Sequence, residues 1–90
     1  MAAVNNAGTF QHEAEVNETF YKAMKDTLRE QYGSQYVGIA KGRFIAADPD
    51  FSKVIAVIQE LKPKPEHYIV YPADQEAILG TVSAYYQEVE

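Results

Sequence analysis

The stretch YVGIAKGRFIAADPDF, residues 36–51, constrains the fold more than any other part of the chain. Two apolar runs flank Lys41-Gly42, and a two-residue hairpin loop at this dipeptide pairs Ile39 with Phe44 across two antiparallel strands. A three-residue loop would place an arginine opposite Ile39, so the apolar pattern favours the shorter loop. We therefore expect a β-hairpin with one wholly apolar face, which must pack against another element.

The two faces of this hairpin differ in character. The two-residue loop also pairs Val37 with Ala46, which extends the apolar face. The opposite face carries Tyr36 and Ile45 among glycine, alanine and arginine residues. Because this second face is mixed, we expect it to be partly exposed in the folded chain.

The Asp48-Pro49-Asp50 step after the hairpin is typical of a helix start. Asp48 fits the N-cap, Pro49 fits the first helical position, where no amide hydrogen is needed, and Asp50 places a negative charge in the first turn. A calcium loop is the alternative, but that motif requires a central glycine and a bidentate glutamate, which do not follow here. The capping interpretation is therefore preferred.

Two amphipathic helices are predicted from apolar residues that recur at helical spacing. The first spans residues 13–32 and ends before Gly33, since glycine accepts the left-handed conformation that closes many helices. Its apolar stripe consists of Val16, Phe20, Ala23, Met24 and Leu28. The second helix follows the capping step and ends before Pro63. Its stripe consists of Phe51, Val54, Ile55, Ile58 and Leu61.

The remaining elements complete a small α+β fold. YIVYP, residues 68–72, predicts a third strand, whereas residues 77–89 fit either a strand or a helix. A right-handed crossover makes the second and third strands parallel, either adjacent or with the first strand between them. We expect two layers, with a mostly antiparallel sheet, both helices on one face, and the order α-β-β-α-β-β, in which the last strand is uncertain. Residues 1–12 are expected to be a flexible N-terminal segment and residues 13–90 a single domain.

Composition excludes several classes of protein. The chain has no cysteine, which removes disulfide frameworks and thiolate chemistry and fits a cytoplasmic location. It has neither a secretory leader nor an apolar run of the roughly 20 residues that a membrane span requires, so a soluble protein is expected. A net charge of −5 argues against nucleic-acid binding, which needs a surplus of Lys and Arg.

A family resemblance enters with the pattern from Tyr36-Val37 through the capping step and Leu61 to YIVYP. Over residues 32–72 the chain resembles a family of short prokaryotic β-β-α-β domains of unknown function, whose members read approximately yVavvdGkvvasgkdfeevl. Pro49 and the C-terminal extension depart from that pattern. The resemblance implies a fold and a prokaryotic source, and it carries over no functional residue.

Candidate metal-binding and catalytic residues are few. Neither histidine has the paired helical spacing of a zinc site, and both are expected in solvated segments. His67 with Asp74 and Glu76 is the best metal-binding set that the chain offers. No nucleophile elbow, aspartic-protease loop or glycine-rich phosphate loop is present. Catalytic activity and a cofactor are therefore not expected.

Tyrosine is abundant, with seven residues, and provides the main candidate for a binding surface. Tyr68 and Tyr71 must point to opposite faces of a strand, and so must Tyr85 and Tyr86. An aromatic sheet face is predicted as the candidate binding surface, formed by Tyr36, Ile45, Tyr68, Tyr71, Tyr85 and Tyr86. The alternative, that a helix or the C-terminal tail covers this face, stays open.

Two functional hypotheses from different classes follow. The first is a protein-interaction or self-associating module without catalytic activity, which contacts itself as a homodimer or another protein through the mixed sheet face or an open strand edge. The second is a small-molecule or metal-binding protein with weak hydrolytic activity. Neither hypothesis involves nucleic acid or a membrane.

Overall fold

The computed structural model describes residues 2–77, with side chains from residue 10 onward, as an α+β fold of two helices and a three-stranded antiparallel sheet, which confirms the predicted class. The elements are α1 (Ala2–Tyr32), β1 (Tyr36–Ala40), β2 (Arg43–Asp48), α2 (Phe51–Gln59) and β3 (Tyr68–Pro72). The strand order is β2-β1-β3, so β3 runs parallel to β2 with β1 between them, as the crossover predicted. Among the residues described, no helix combines the length and apolar character needed to cross a membrane.

The hairpin closes through the predicted two-residue loop. Lys41 and Gly42 both have positive φ, 55° and 73°, as a turn that matches the strand twist requires. Ile39 pairs with Phe44, which confirms the register next to the loop.

The hairpin register changes beyond this point. A β-bulge interrupts the ladder between Gly38 and Ile39, and Ile45 is the extra residue on β2. Val37 therefore pairs with Ala47, and the predicted pairing with Ala46 is wrong. The sequence could not predict this bulge, because an apolar run fits a strand in either register.

Helix α1 is longer than the predicted helix, and it buries most of the predicted apolar stripe together with neighbouring residues. It includes residues 2–12 and ends at Tyr32, where the backbone amide of Gln35 donates to the Tyr32 carbonyl at 2.7 Å. The flexibility predicted for residues 1–12 stays a prediction. Tyr21 and Leu28 are buried against the sheet, whereas Ala23, which belonged to the predicted stripe, is exposed.

The two helices lie on opposite faces of the sheet, and the predicted arrangement with both on one face is wrong. The side chains of α1 pack on Val37 and Ile39, whereas Val54 and Ile58 of α2 pack on the other face of the same strand. A Cβ atom at Gly38 would lie 2.6 Å from Val54 Cγ1 and 2.9 Å from Ile58 Cδ1. The missing side chain of Gly38 therefore allows α2 to sit directly on the sheet, and the domain has three layers.

Helix α2 is capped by the second aspartate of the capping step. Asp50 has extended backbone angles, and its carboxylate accepts hydrogen bonds from the Ser52 amide at 3.0 Å and the Ser52 hydroxyl at 2.8 Å. Asp48 is still part of β2, opposite Tyr36, and its carboxylate accepts the Asp50 amide at 2.8 Å. The predicted N-cap at Asp48 is therefore wrong by two residues. The uncertain element at residues 77–89 lies almost entirely outside the described residues.

Candidate interaction edge

The described members of the predicted aromatic face do not share one surface. Tyr36, Ile45 and Tyr68 surround α2, where they are partly buried against its apolar side. Tyr71 lies on the α1 face and is fully buried, with its ring edge-on to Tyr21 at 5.1 Å between centroids. Tyr68 and Tyr71 thus point to opposite faces, as the strand period predicts. Tyr85 and Tyr86 lie outside the described residues, and the binding role assigned to the set stays a prediction.

The metal-binding candidates are not brought together. His67 is fully buried, which makes its predicted position in a solvated segment wrong, whereas Asp74 and Glu76 are exposed. Glu76 instead pairs with Lys25 on α1, with 3.1 Å between Lys25 Nζ and Glu76 Oε2. Within the part of the chain that the structure describes, no three His, Cys, Asp or Glu side chains form a group that could hold a metal ion.

His67 belongs to a buried polar junction that ties α1 to the segment before β3. The Nδ2 atom of Asn17 lies 2.9 Å from Nδ1 of His67 and donates to the His67 carbonyl at 3.2 Å. The Oδ1 atom of Asn17 accepts the backbone amide of Gly42 at 2.7 Å. One buried side chain therefore links α1, the hairpin loop and the start of β3.

A second contact of α1 strengthens this junction. Glu13 Oε1 accepts the backbone amides of Glu66 at 2.8 Å and His67 at 3.1 Å. Phe10 contacts the His67 ring edge-on, with 5.3 Å between centroids. Burial lowers the pKa of His67, while Glu18 and Glu13 act in the opposite direction. These contacts fix the backbone before β3, and burial favours the neutral form of the imidazole, so the junction is structural.

Sequence reasoning missed this junction because a single asparagine on a helix carries no directional signal. The spacing of Glu13, Asn17 and Tyr21, each four residues apart, does place them on one helix face. That face lies beside the predicted apolar stripe, and both contribute to the core, since Tyr21 and Leu28 are buried in the same cluster.

Strand β2 is the more accessible edge of the sheet. Of the residues described, only those of β1 pair with β2, and only those of β1 pair with β3. The centre of β3, residues 69–71, is fully buried, whereas each residue of β2 retains partial or full exposure. Edge strands of this kind offer unpaired backbone groups to another strand.

The side chains of β2 follow an unusual pattern because of the bulge. Phe44 and Ala47 pack toward α1. Ile45 packs toward α2. Ala46 pairs with Gly38, whose Cβ position faces α2, so Ala46 lies on the same side of the sheet. Along residues 44–47 the side chains therefore face α1, α2, α2 and α1. In a regular strand they would alternate between the two faces.

The two ends of β2 carry opposite charges on one face. Arg43 pairs with Ala40 and Asp48 pairs with Tyr36, and both of these partners belong to the α2 side of the sheet. Arg43 and Asp48 consequently both point to the α2 side. Between them the edge is uncharged.

Aromatic contacts lie on both faces of the β1–β2 hairpin. Tyr32 at the end of α1 stacks on Phe44, with 5.2 Å between centroids and 9° between ring planes. On the other face, Phe51 of α2 meets Tyr36 edge-on at 5.3 Å. Phe44 of β2 is thus packed on α1, and Tyr36, on the neighbouring strand β1, is packed on α2.

No family model, curated protein or solved structure matches the chain. The resemblance to short prokaryotic β-β-α-β domains therefore stays a prediction from residues 32–72.

Proposed function

We propose that this protein is a protein-interaction module without catalytic activity, and that it takes up an extended strand at the β2 edge. The observation that carries the proposal is the accessible, uncharged centre of β2, flanked by Arg43 and Asp48 and backed on both faces by helices. In strand addition, backbone hydrogen bonds supply affinity and alternate side chains supply specificity.

The residues of β2 favour an edge that accepts another strand over an edge that is protected against pairing. Natural edges are commonly guarded by lysine, proline or an inward-pointing charge within the strand. Residues 44–47 contain none of these, and Pro49 follows the strand instead of interrupting it. Among residues 44–47 the bulge at Ile45 is a protective feature, since it breaks the regular spacing that an incoming strand would need to match.

The cytoplasmic location is part of the same proposal and is supported by the absence of cysteine from the sequence. The net charge of −5 supports a protein partner over nucleic acid. No specific contact among the described residues favours the alternative of a small-molecule or metal-binding protein.

A charge placed within the edge tests the proposal. In the Ala46→Lys variant the ammonium group reaches the solvent at the edge and opposes an incoming strand. Val57→Lys is the matched control, since Val57 is 44% exposed and the substitution adds the same charge on α2, outside the strand. Circular dichroism and thermal unfolding verify that both variants fold.

The readout is quantitative affinity capture with the tagged full chain. We expect proteins that bind the wild type and the Val57→Lys variant to be lost from the Ala46→Lys variant. An identical set of bound proteins for all three chains would rule out the edge as the contact.

A further inference from the structure

We infer that the strand taken up at this edge is β2 of a second copy, which pairs antiparallel about a two-fold axis between Ile45 and Ala46. The inference rests on the proposed function and names its partner. The described strands of the two copies then form one continuous sheet, three strands from each, with β2 and its copy at the centre.

The orientation of the side chains favours this register. Directly opposed residues in an antiparallel pair share one face of the sheet. About the proposed axis Phe44 meets the partner's Ala47, and both face α1, while Ile45 meets the partner's Ala46, and both face α2. The order in which the side chains of β2 face α1 and α2 is therefore the same in both directions along the strand.

The bulge creates this symmetry. In a regular strand of the same sequence the faces would alternate, so Phe44 and Ala47 would lie on opposite faces and could not oppose each other. A shift of the dimer register by one or two residues in either direction also opposes side chains from different faces. The bulge on one copy meets the bulge on the other, so the irregularity does not obstruct the pairing.

Size and charge are complementary in the same register. Each large residue, Phe44 or Ile45, meets an alanine, which avoids crowding across the new strand pair. Arg43 meets the partner's Asp48 on the α2 face, and the two-fold axis produces this opposite-charge pair twice. A strand from an unrelated protein would have to match both features by chance.

Charge reversal tests the register by sedimentation equilibrium of the full chain at low salt. Arg43→Asp alone, or Asp48→Arg alone, creates two like-charge pairs in its homodimer and is expected to weaken dimerisation about tenfold. An equimolar mixture of the two variants forms two opposite-charge pairs and is expected to recover nearly the wild-type affinity. The Arg43→Asp/Asp48→Arg double variant is expected to recover it too.

Cysteine cross-linking tests the same register without relying on charge. The chain has no native cysteine, so introduced thiols react alone. Arg43→Cys mixed with Asp48→Cys should form a disulfide-linked heterodimer under mild oxidation, because directly opposed Cβ atoms lie about 4.5–5.5 Å apart. Neither variant should cross-link efficiently to itself, since identical positions lie about five residues apart along the pair.

The outcomes separate this inference from the proposed function. A strict monomer at several hundred micromolar overturns self-pairing, while the capture experiment with Ala46→Lys still decides whether the edge binds another protein. A dimer that is insensitive to charge reversal and forms no 43-to-48 cross-link overturns the register. A dimer that the mixture restores and that cross-links as described supports it.

Discussion

Asn17 is the side chain on which the buried junction of the domain depends. It is fully buried and satisfies the Gly42 amide while it donates to His67. Removal of a buried polar group leaves each former partner desolvated and unpaired, which costs more than the hydrogen bond itself contributes.

We predict that Asn17→Ala lowers the free energy of unfolding by about 2–4 kcal/mol. Thr19→Ala, an exposed change on the same helix, is the control and should alter stability little. Urea denaturation at a dilution where the chain is monomeric measures both. A loss equal to that of the control would show that the junction does not stabilise the fold.

His67 gives the fold a dependence on pH. Its pKa is lowered by burial in the folded protein, so the unfolded chain takes up a proton there first as the pH falls. The stability that neutral His67 supports is therefore present above its ordinary pKa of about 6.5 and is lost as the pH falls below it.

We expect the unfolding free energy to decrease between about pH 7 and pH 5, and His67→Gln to flatten this decrease. His12→Gln is the matched control, because it makes the same substitution at an exposed position of α1. Denaturation curves across this pH range provide the measurement. Equal slopes for wild type and His67→Gln would assign the dependence to other groups.

At the residue scale, the sequence predicts which structural roles are present better than it predicts which residue fills each role. The capping step was recognised from Asp48-Pro49-Asp50, but the cap fell on Asp50 because the strand pairing continued through Asp48. His67 could not be placed, because its burial depends on Asn17, 50 residues away in the chain. Local patterns do not encode such long-range contacts.

At the scale of elements, the contact between α2 and the sheet depends on Gly38. The two side chains that a Cβ atom there would meet differ in how easily they can move. Ile58 presents its terminal Cδ1 methyl, which can move by rotation about χ2, whereas Val54 presents Cγ1, which is attached directly to the branched Cβ. Val54 therefore decides how well the site tolerates a larger residue.

Gly38→Ala is predicted to destabilise the domain by about 1–3 kcal/mol through overpacking. In the Gly38→Ala/Val54→Ala double variant the clash is relieved, so the loss should be smaller than the sum of the two single losses. Thermal and urea unfolding of the wild type, the two single variants and the double variant measures this double-mutant cycle. Additive losses would mean that α2 does not press on this strand.

The prediction that both helices lie on one face of the sheet is wrong, although the sequence of β1 indicates a strand that is covered on both faces. Residues 37–40 of β1 are Val, Gly, Ile and Ala, all of them buried, and an apolar run without alternation is typical of a strand covered on both faces. The crossover rule governs α2, which connects parallel strands, but α1 precedes the sheet and is not constrained by it. The elements, their order and the hairpin loop could be predicted, whereas the bulge that shapes the candidate edge could not.

At the scale of the whole molecule, self-pairing couples folding to concentration. A dimer that forms only from folded chains raises the melting temperature as the protein concentration rises. For a domain of this size we expect a rise of roughly 3–5 °C for each tenfold increase above the dissociation constant.

The Arg43→Asp variant should lose most of this concentration dependence while it melts close to the wild type at high dilution. Scanning calorimetry over a hundredfold range of concentration compares the two chains. A wild-type melting temperature that does not change over this range would argue against a dimer at those concentrations.

Backbone hydrogen exchange locates the contact within the molecule. In the monomer β2 is an edge strand, and the amides that point away from β1 exchange readily. In the dimer β2 becomes central and those amides are bonded to the second copy, while β3 remains at the outer edge. Exchange of peptides that cover residues 43–48 should therefore slow as the concentration rises, and peptides that cover residues 68–72 should be unaffected. Equal slowing in both strands would indicate general stabilisation, and slowing confined to β3 would move the contact to the opposite edge of the sheet.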